Sequence, residues 1–150
     1  MYNKWDNRFI EMANLISTWS KDPSTQCGSV IVDKNKRIIS LGFNGFPQNT
    51  NDDPELYENR EEKYRRVIHA EKNAIMFAKC DLNNCTMYVV PMPPCSQCTG
   101  MIIQSGIKRV VTIHPTLDQK ERWSKDIITT ESMFKEANIV MDYIKIRIRK

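Results

Sequence analysis

Apolar residues recur at helical spacing in the first part of the chain. They stand one, three or four positions apart, so one face of a helix collects Trp5, Phe9, Met12, Ala13, Ile16 and Trp19. The segment Lys21-Asp22-Pro23-Ser24 follows, and its turn-forming residues end the periodicity. The pattern predicts an amphipathic helix over about residues 5–19.

Two short apolar runs come next and indicate a β-hairpin. The runs Cys27–Val32 and Arg37–Phe43 are joined by the polar tetrapeptide Asp33-Lys34-Asn35-Lys36. Beyond residue 69 the patterns alternate, with helices over about 70–79, 96–104 and 127–137 and strands over about 86–90, 109–113 and 139–143. The tail from Ile144 to Arg149 alternates like an exposed edge strand. This succession predicts a single α/β domain over residues 1–150, without a linker or an internal repeat.

The segment between the hairpin and the next helix has a different character. Residues 45–59 hold two prolines, several asparagines and an acidic cluster without apolar periodicity, which predicts an irregular loop. Acidic residues precede basic ones at helical spacing from Glu58 to Arg66, which favours a charged surface helix there. We therefore expect an insertion at about residues 46–66.

Composition narrows the class only a little. The chain is 41% hydrophobic and 27% charged, as ordinary globular domains are, and its net charge of +4 carries little weight. No apolar run is long enough to cross a bilayer, and the first residues lack the apolar stretch of a secretory signal. Five cysteines, an odd number, fit a reducing compartment better than a disulfide framework. We expect a cytoplasmic protein that does not bind membranes.

The residues with the clearest chemistry are His69-Ala70-Glu71 and Pro94-Cys95-Ser96-Gln97-Cys98. His69, Cys95 and Cys98 are three zinc ligands placed at the starts of two predicted helices, where thiolates are favoured. A structural zinc site normally has four protein ligands, whereas a catalytic site keeps three and leaves one position for water. Glu71 stands close to the ligands without belonging to them, so we predict that it is the general acid and base.

Less specific interpretations exist for each part of this pattern. A Cys-x-x-Cys pair alone fits half of a zinc ribbon or a redox site. Together with the His-x-Glu and the proline before the first cysteine, it matches the pattern of zinc nucleobase deaminases. For Cys27, Cys80 and Cys85 we favour packing or a surface thiol over a second metal site. His114 ends a predicted strand, where a role on the substrate side is an alternative.

Four blocks of sequence resemble the deoxycytidylate (dCMP) deaminases of the cytidine deaminase superfamily. From Trp5 to about Tyr143 the resemblance rests on Lys21–Gly28, Gly42–Pro47, Val67–Ile75 and Met87–Val89 before the cysteines. It implies a three-layer α/β fold with a five-stranded mixed sheet flanked by helices. It also implies zinc-dependent conversion of dCMP to dUMP and ammonia, which supplies dUMP for thymidylate synthesis.

The same resemblance implies regulation and assembly. Many relatives are hexamers, are activated by dCTP with Mg²⁺ and are inhibited by dTTP. The implied effector site lies near the insertion and the segment that contains Gly42, Phe43, Gly45 and Phe46.

Outside the metal ligands, a nucleotide substrate is predicted to meet two loops. Asn44 offers a donor and an acceptor beside glycines, although an Asn-Gly pair is also a common turn. Lys21, Ser24 and Thr25 are candidates for the 5′-phosphate, although lysines are usually solvated and some relatives use an arginine in this loop. We assign Ala70 to substrate binding as well. For Phe43 and Tyr88 we favour the core over the pocket.

Other functions remain open at this stage. A deaminase of the same superfamily could act on free cytidine or deoxycytidine, or on adenosine in transfer RNA. RNA binding would need a basic aromatic face, whereas the chain offers only Lys145, Arg147, Arg149 and Lys150, so we expect no nucleic-acid partner. A riboflavin-pathway deaminase commonly has a more elaborate cysteine segment and a fused domain. A non-catalytic zinc module would have no need of Glu71, and its zinc ion would normally have a fourth protein ligand.

Overall fold

A computed structural model describes residues 3–146 of the chain. Its elements in chain order are α1 (Lys4–Ser17), β1 (Gly28–Val32), β2 (Ile38–Phe43), α2 (Pro54–Glu58), α3 (Arg60–Arg66), α4 (Ala70–Ala78), β3 (Thr86–Val90), α5 (Ser96–Ser105), β4 (Arg109–Ile113), α6 (Leu117–Glu136) and β5 (Val140–Ile144). The strands form one sheet in the order β2-β1-β3-β4-β5. Strand β1 is antiparallel to β2 and β3, and β3, β4 and β5 are parallel. The predicted five-stranded mixed sheet is confirmed.

Both faces of the sheet are covered by helices, which gives three layers. On one face, Phe9, Ile10 and Ala13 of α1 pack on the side chains of Val30 and Tyr88. On the other face, the buried contacts join residues of α4, α5 and α6 to the strands, namely Ala74, Ile102, Phe134, Ile31, Met87, Val89 and Val110. The central strands β1 and β3 are therefore buried on both sides, which is why they read as continuous apolar runs.

Two glycines let helices approach the sheet closely. A Cβ atom on Gly28 would lie 2.1 Å from the carbonyl oxygen of Ala13, and one on Gly42 would lie 2.3 Å from the carbonyl oxygen of Ala70. Any side chain at these positions would collide with the backbone of α1 or α4. Packing of α4 on β2 thus explains the glycine at position 42.

The insertion is more regular than its sequence indicates. Residues 45–59 were expected to be irregular, but Pro54–Glu58 form the short helix α2, with Pro54 at its start. The charged helix predicted over residues 58–66 is present as α3, where Arg66 donates to Glu62 at 2.6 Å. Tyr57 holds this region against the domain, because its hydroxyl accepts from the Phe46 N–H at 3.2 Å and its ring stacks on Phe46 at 3.9 Å.

The last helix differs most from its prediction. It begins at Leu117, ten residues before the expected start at Ile127, because Thr116 and Gln119 form a capping box. Its first half is largely exposed, so no apolar periodicity marked it. Trp123 has non-helical backbone angles (φ −118°, ψ 16°) and divides the helix into two parts.

Smaller differences concern the ends of elements. Helix α1 ends at Ser17 rather than Trp19, and Trp19 instead packs edge-on against Phe43. Strand β1 begins at Gly28, so Cys27 precedes it. The tail forms an edge strand only as far as Ile144, and the predicted alternation from Arg147 onward lies outside the described residues. No helix within residues 3–146 has the length and apolar character needed to cross a membrane.

A network of charged side chains around the buried Asp6 connects α1 to β4 and β5. Arg109 donates two bonds to Asp6, at 2.9 and 2.8 Å, and a third to Asp142 at 2.9 Å, while Tyr88 donates to Asp6 at 2.7 Å. Burial alone would raise the pKa of Asp6, but these hydrogen bonds and the charge of Arg109 hold it below its ordinary value. The network fixes β4 against α1.

Candidate metal centre and substrate pocket

The three predicted zinc ligands meet at the starts of two helices. His69 is the residue that precedes α4, Cys95 is the residue that precedes α5, and Cys98 lies in the first turn of α5. The Nδ1 atom of His69 lies 3.4 Å from the Cys95 Sγ atom and 3.3 Å from the Cys98 Sγ atom. All three ligand atoms lie within 4.8 Å of one another. The convergence predicted from the sequence is confirmed.

These distances fit a tetrahedral zinc ion. Nitrogen and sulfur ligands at about 2.0–2.1 and 2.3 Å from zinc lie about 3.5 Å apart at the tetrahedral angle. The observed separations of 3.3 and 3.4 Å are close to that value. A nitrogen and two sulfurs are also a donor set that suits zinc. The site therefore fits zinc, with three protein ligands.

Local hydrogen bonds favour a thiolate at this site. The Cys98 side chain, the His69 ring and the Cys98 N–H all bond to the Cys95 sulfur, and together they lower the pKa of Cys95 to about 4 despite its burial. The backbone bond from Cys98 runs 3.4 Å to the sulfur, at the positive end of α5. Of the two cysteines, only Cys95 is favoured as a thiolate by these contacts, since the contact with Cys95 and burial raise the pKa of Cys98.

The second half of α6 supports the loop that carries the cysteines. The fully buried Thr130 hydroxyl donates to the Pro94 carbonyl at 2.9 Å, and the Thr99 hydroxyl lies 2.9 Å from the Cys95 carbonyl oxygen. Asp126 accepts from the backbone N–H and the hydroxyl of Ser96 at 2.9 and 2.7 Å. The cysteine loop is therefore held in place by α6.

Glu71 lies beside the ligands in a nearly dry environment. Its side chain is in the first turn of α4 and the residue is 6% exposed. Burial raises the pKa of Glu71, although the charge of His69 opposes this effect. Glu71 does not belong to the group of ligands, yet it lines the same pocket as His69 and Cys95. Its role in proton transfer stays a prediction.

The pocket brings together some of the predicted substrate residues. Ser24, Thr25 and Asn44 line it together with His69 and Glu71. Two predicted residues do not line it. Lys21 is an exposed partner of Asp52, with its Nζ atom 2.5 Å from a carboxylate oxygen, and Ala70 is fully buried in α4.

Asp22 organises this side of the pocket. Its carboxylate accepts from the backbone N–H groups of Ser24 and Thr25 at 2.8 and 3.2 Å and from Lys63 at 3.2 Å. Asn44 donates to the Thr25 carbonyl at 2.9 Å and to Asp22 at 3.4 Å, and its side-chain oxygen accepts from the Cys27 N–H at 2.8 Å. Both hydrogens of the Asn44 amide are thus used within the protein, which leaves the second lone pair of its oxygen.

The four residues predicted for an effector lie in another groove. Gly42, Phe43, Gly45 and Phe46 line it on one side, and Met76 and Phe77 of α4 line it on the other. Met76 and Phe77 are 51% and 48% exposed. The role of this groove in regulation stays a prediction.

Comparison with known proteins identifies the family of this chain. Residues 3–114 match the family model described as the cytidine and deoxycytidylate deaminase zinc-binding region. The chain belongs to this deaminase family. Over the full length of both chains it is 44% identical to an uncharacterised deaminase from the luxG 3′ region of Aliivibrio fischeri. It is 37% identical to the deoxycytidylate deaminase of Mus musculus over 92% of this chain and 78% of the mouse protein.

Solved structures agree on the fold. The dCMP deaminase from the cyanophage S-TIM5, in complex with dCMP and dUMP, superposes with a TM-score of 0.71 at 20% identity over 96% of this chain and 99% of that chain. The chain is therefore a deaminase enzyme with the fold of its family, as the resemblance implied.

Sequence reasoning missed the residues at the mouth of the deaminase pocket. Arg60, Lys63 and Tyr64 of α3 line it, as do Arg122 and Trp123 of α6. The α3 residues share one helix face by their spacing, but in sequence they read as a solvated charged helix. Arg122 and Trp123 precede the helix start that we predicted, and no periodic pattern there pointed to them.

The remaining candidate residues have plain positions. Tyr88 is buried against Phe9, which confirms the core interpretation. Cys27 lines the deaminase pocket, and burial raises the pKa of its thiol. Within the described part of the chain, Cys80, Cys85 and His114 join no metal-binding group, and the His114 ring stacks on Tyr143 at 4.7 Å.

Proposed function

We propose that this enzyme hydrolyses dCMP to dUMP and ammonia and so supplies dUMP for thymidylate synthesis. The single observation that carries the proposal is the buried Glu71 beside three convergent zinc ligands, at a pocket whose mouth carries two arginines. The printed names of the relatives support the choice of substrate, because the mouse protein is a deoxycytidylate deaminase. The arginines favour a substrate that bears a phosphate.

His69, Cys95 and Cys98 would hold the zinc ion. When bound there with three protein ligands, zinc lowers the pKa of water to about 7 and so supplies a nucleophile at neutral pH. The burial of Cys98 and Glu71 limits competing contact with bulk solvent, while His69 and Cys95 are half-buried and face the pocket.

Glu71 would carry the protons of the reaction. Water adds its oxygen to C4 of the cytosine ring, and the Glu71 carboxylate accepts a proton from that water and passes it to the ring nitrogen N3. The second proton of the water goes through Glu71 to the exocyclic amino group, which leaves as ammonia while the C4 carbonyl forms. The raised pKa of Glu71 suits a group that must both accept and return a proton.

The Asp22 side of the pocket would position the nucleotide. The free lone pair of Asn44 offers a contact to sugar or base, and the hydroxyl groups of Ser24 and Thr25, which were predicted for the 5′-phosphate, line the same pocket. Asn44 also fixes the carbonyl of Thr25, so it would act partly by positioning that loop. We retain Lys21 and Ala70 as weaker substrate candidates, since Lys21 is engaged by Asp52 and Ala70 offers only backbone groups.

Regulation and assembly are part of the proposal. We infer activation by dCTP with Mg²⁺ and inhibition by dTTP at the groove of Phe43 and Phe46, and a homo-hexamer that covers the exposed Met76 and Phe77. Kinetics with dCTP, dTTP and ATP should show effects of the first two only, and sedimentation should give a hexamer. Unchanged kinetics would remove the regulatory part. We also propose a cytoplasmic location, because an odd number of cysteines fits a reducing compartment.

A substrate panel tests the reaction itself. Ammonia release should be fastest with dCMP and much slower with deoxycytidine, dCTP or dAMP. Removal of metal with a chelator should abolish activity, and added zinc should restore it. Preference for deoxycytidine over dCMP, or full activity in metal-free protein, would contradict the proposal.

A further inference from the structure

The mouth of the pocket has two walls of similar chemistry. Helix α3 contributes Arg60 and Tyr64, and the kinked part of α6 contributes Arg122 and Trp123. Tyr64 is 54% exposed and Trp123 is 38% exposed. Each wall therefore presents one arginine and one partly solvated aromatic ring to the same opening. Trp, Tyr and Arg are enriched among the hot spots of protein interfaces, and aromatic rings offer a large contact area.

The lysine on the same face of α3 is already engaged. Lys63 is buried and pairs with the buried Asp22 at 3.2 Å, so its charge is balanced inside the protein. Arg60 makes no ion pair with any residue between 3 and 146. On this wall the positive charge available to a ligand is therefore that of Arg60.

On the wall formed by α6, Arg122 is held only weakly. It lies 3.1 Å from Asp118 one turn earlier, and both side chains are more than half exposed. An exposed pair of this kind contributes less than about 1 kcal/mol, so a phosphate can compete for the guanidinium group. The break in the helix occurs at the next residue, Trp123, and that ring also lines the pocket.

The remaining charged residues of the pocket are engaged or negatively charged, so an anionic ligand is favoured only at this mouth. Asp22 and Asp126 are occupied by hydrogen bonds to Lys63 and Ser96, and Glu71 is buried at the metal end. A negative group would be repelled by Glu71 and attracted to the two arginines. The substrate would then lie with its base toward Glu71 and its phosphate between the walls.

We propose that Arg60 of α3 and Arg122 of α6 bind the 5′-phosphate of a pyrimidine nucleoside monophosphate and that Trp123 packs against its sugar. The inference rests on the proposed function, and it names the residues by which the enzyme selects a nucleotide over a nucleoside. The insertion and the first half of α6 are then specificity elements of the pocket.

The test compares dCMP with deoxycytidine in charge-neutralised variants. Arg60→Gln and Arg122→Gln should each lower kcat/KM for dCMP by about 10–100-fold, the effect of losing one charge-assisted hydrogen bond, chiefly through KM. Their kcat/KM for deoxycytidine should stay at the parent value. Arg65→Gln on α3 and Lys125→Gln on α6 are matched controls, since both residues lie outside the pocket lining.

A binding measurement separates this inference from the proposed reaction. Of the three tryptophans, Trp123 is the one that lines the pocket. Binding of dCMP should therefore change the fluorescence of the parent enzyme and leave the fluorescence of Trp123→Phe nearly unchanged. The fluorescence titration should weaken in Arg60→Gln and Arg122→Gln. If dCMP binds in this way without turnover, the reaction is wrong and the mouth assignment stands.

Other outcomes overturn the mouth assignment. It fails if ammonia release from dCMP is normal in both arginine variants, if deoxycytidine and dCMP lose activity equally, or if no dCMP-dependent fluorescence change depends on Trp123. Thermal unfolding midpoints of all variants, which should match the parent because these side chains are solvated, exclude misfolding as the cause.

Discussion

The two ends of the pocket are built in opposite ways. At the metal end, His69 and Cys95 are fixed by the starts of two helices and stand within two short stretches of sequence. At the mouth, Arg60 and Arg122 come from separate elements and are exposed. The difference teaches that the residues proposed for the chemistry stand close together in sequence, whereas those proposed for the choice of substrate are exposed side chains of separate helices.

The largest expected effect tests the metal end. Glu71→Gln should lower kcat for dCMP by about 10²–10⁴-fold, because the amide cannot accept the proton of the water. Zinc content, measured by mass spectrometry, should stay near one ion per chain, since Glu71 is not a ligand.

A matched control removes a carboxylate elsewhere. Glu61→Gln neutralises an exposed residue of α3 outside the pocket lining and should leave kcat unchanged. Near-normal turnover in Glu71→Gln protein that contains zinc would contradict the proton-transfer role.

The next prediction concerns the buried ion pair of Lys63 and Asp22, which line the same pocket. Lys63→Met should destabilise the protein by about 3 kcal/mol, because Asp22 would remain buried without its cationic partner. The loop of Ser24 and Thr25 depends on Asp22, so KM for dCMP should rise more than kcat falls. Urea unfolding and steady-state kinetics measure the two effects.

The double variant Asp22→Asn/Lys63→Met sharpens this result. It removes both charges, so its stability should recover part of the loss seen in Lys63→Met. A Lys63→Met protein as stable as the parent would show that the pair does not hold the insertion to the domain.

The ion pair of the buried Asp6 with the half-buried Arg109, neither of which lines the pocket, supplies the reference. Asp6→Asn should lower the free energy of unfolding by about 2 kcal/mol near neutral pH, somewhat less than Lys63→Met, because Arg109 keeps Asp142 and is 30% exposed. Kinetics with dCMP should not change. If they do, the contrast between the ends extends to the whole sheet.

The same variant gives a pH dependence with a defined sign. The folded protein holds the pKa of Asp6 below its unfolded value, so its contribution is complete above that unfolded value, about 3.9, and is lost as the pH falls through the folded pKa. The stability difference between the parent and Asp6→Asn should therefore shrink below about pH 4. A difference that grows on acidification would contradict the assignment.

The smallest effect is expected in α6, the helix that contributes residues to the mouth and also supports the cysteine loop. Thr130→Val removes the hydrogen bond to the Pro94 carbonyl and should cost about 1–2 kcal/mol of stability. Zinc should still bind, because no ligand is altered. Thr129→Val on the exposed side of α6 is the control and should have little effect. Loss of zinc in Thr130→Val would mean that the metal end is less independent than its ligands indicate.

The contrast between the ends also explains what the sequence predicted. Zinc ligands and Glu71 were found because helix starts and ligand chemistry leave a short pattern, and the sheet was found because β1 and β3 are buried runs. The first half of α6 was missed because exposed turns carry no apolar periodicity, and its start depends on the capping pair Thr116 and Gln119. Lys63 was read as solvated because burial by a residue 41 positions away leaves no local signal.

Gly42 sets a dimension of the active site although it has no side chain to offer a substrate. The backbone of α4 rests directly on it at Ala70, and that residue lies between His69 and Glu71. A methyl group at position 42 would have to lift α4 from the sheet, and His69 and Glu71 would move with it. Cys95 and Cys98, at the start of α5, would not move with α4. The absence of a side chain at position 42 therefore sets the distance between the histidine and the thiolates, and with it the size of the ion that fits.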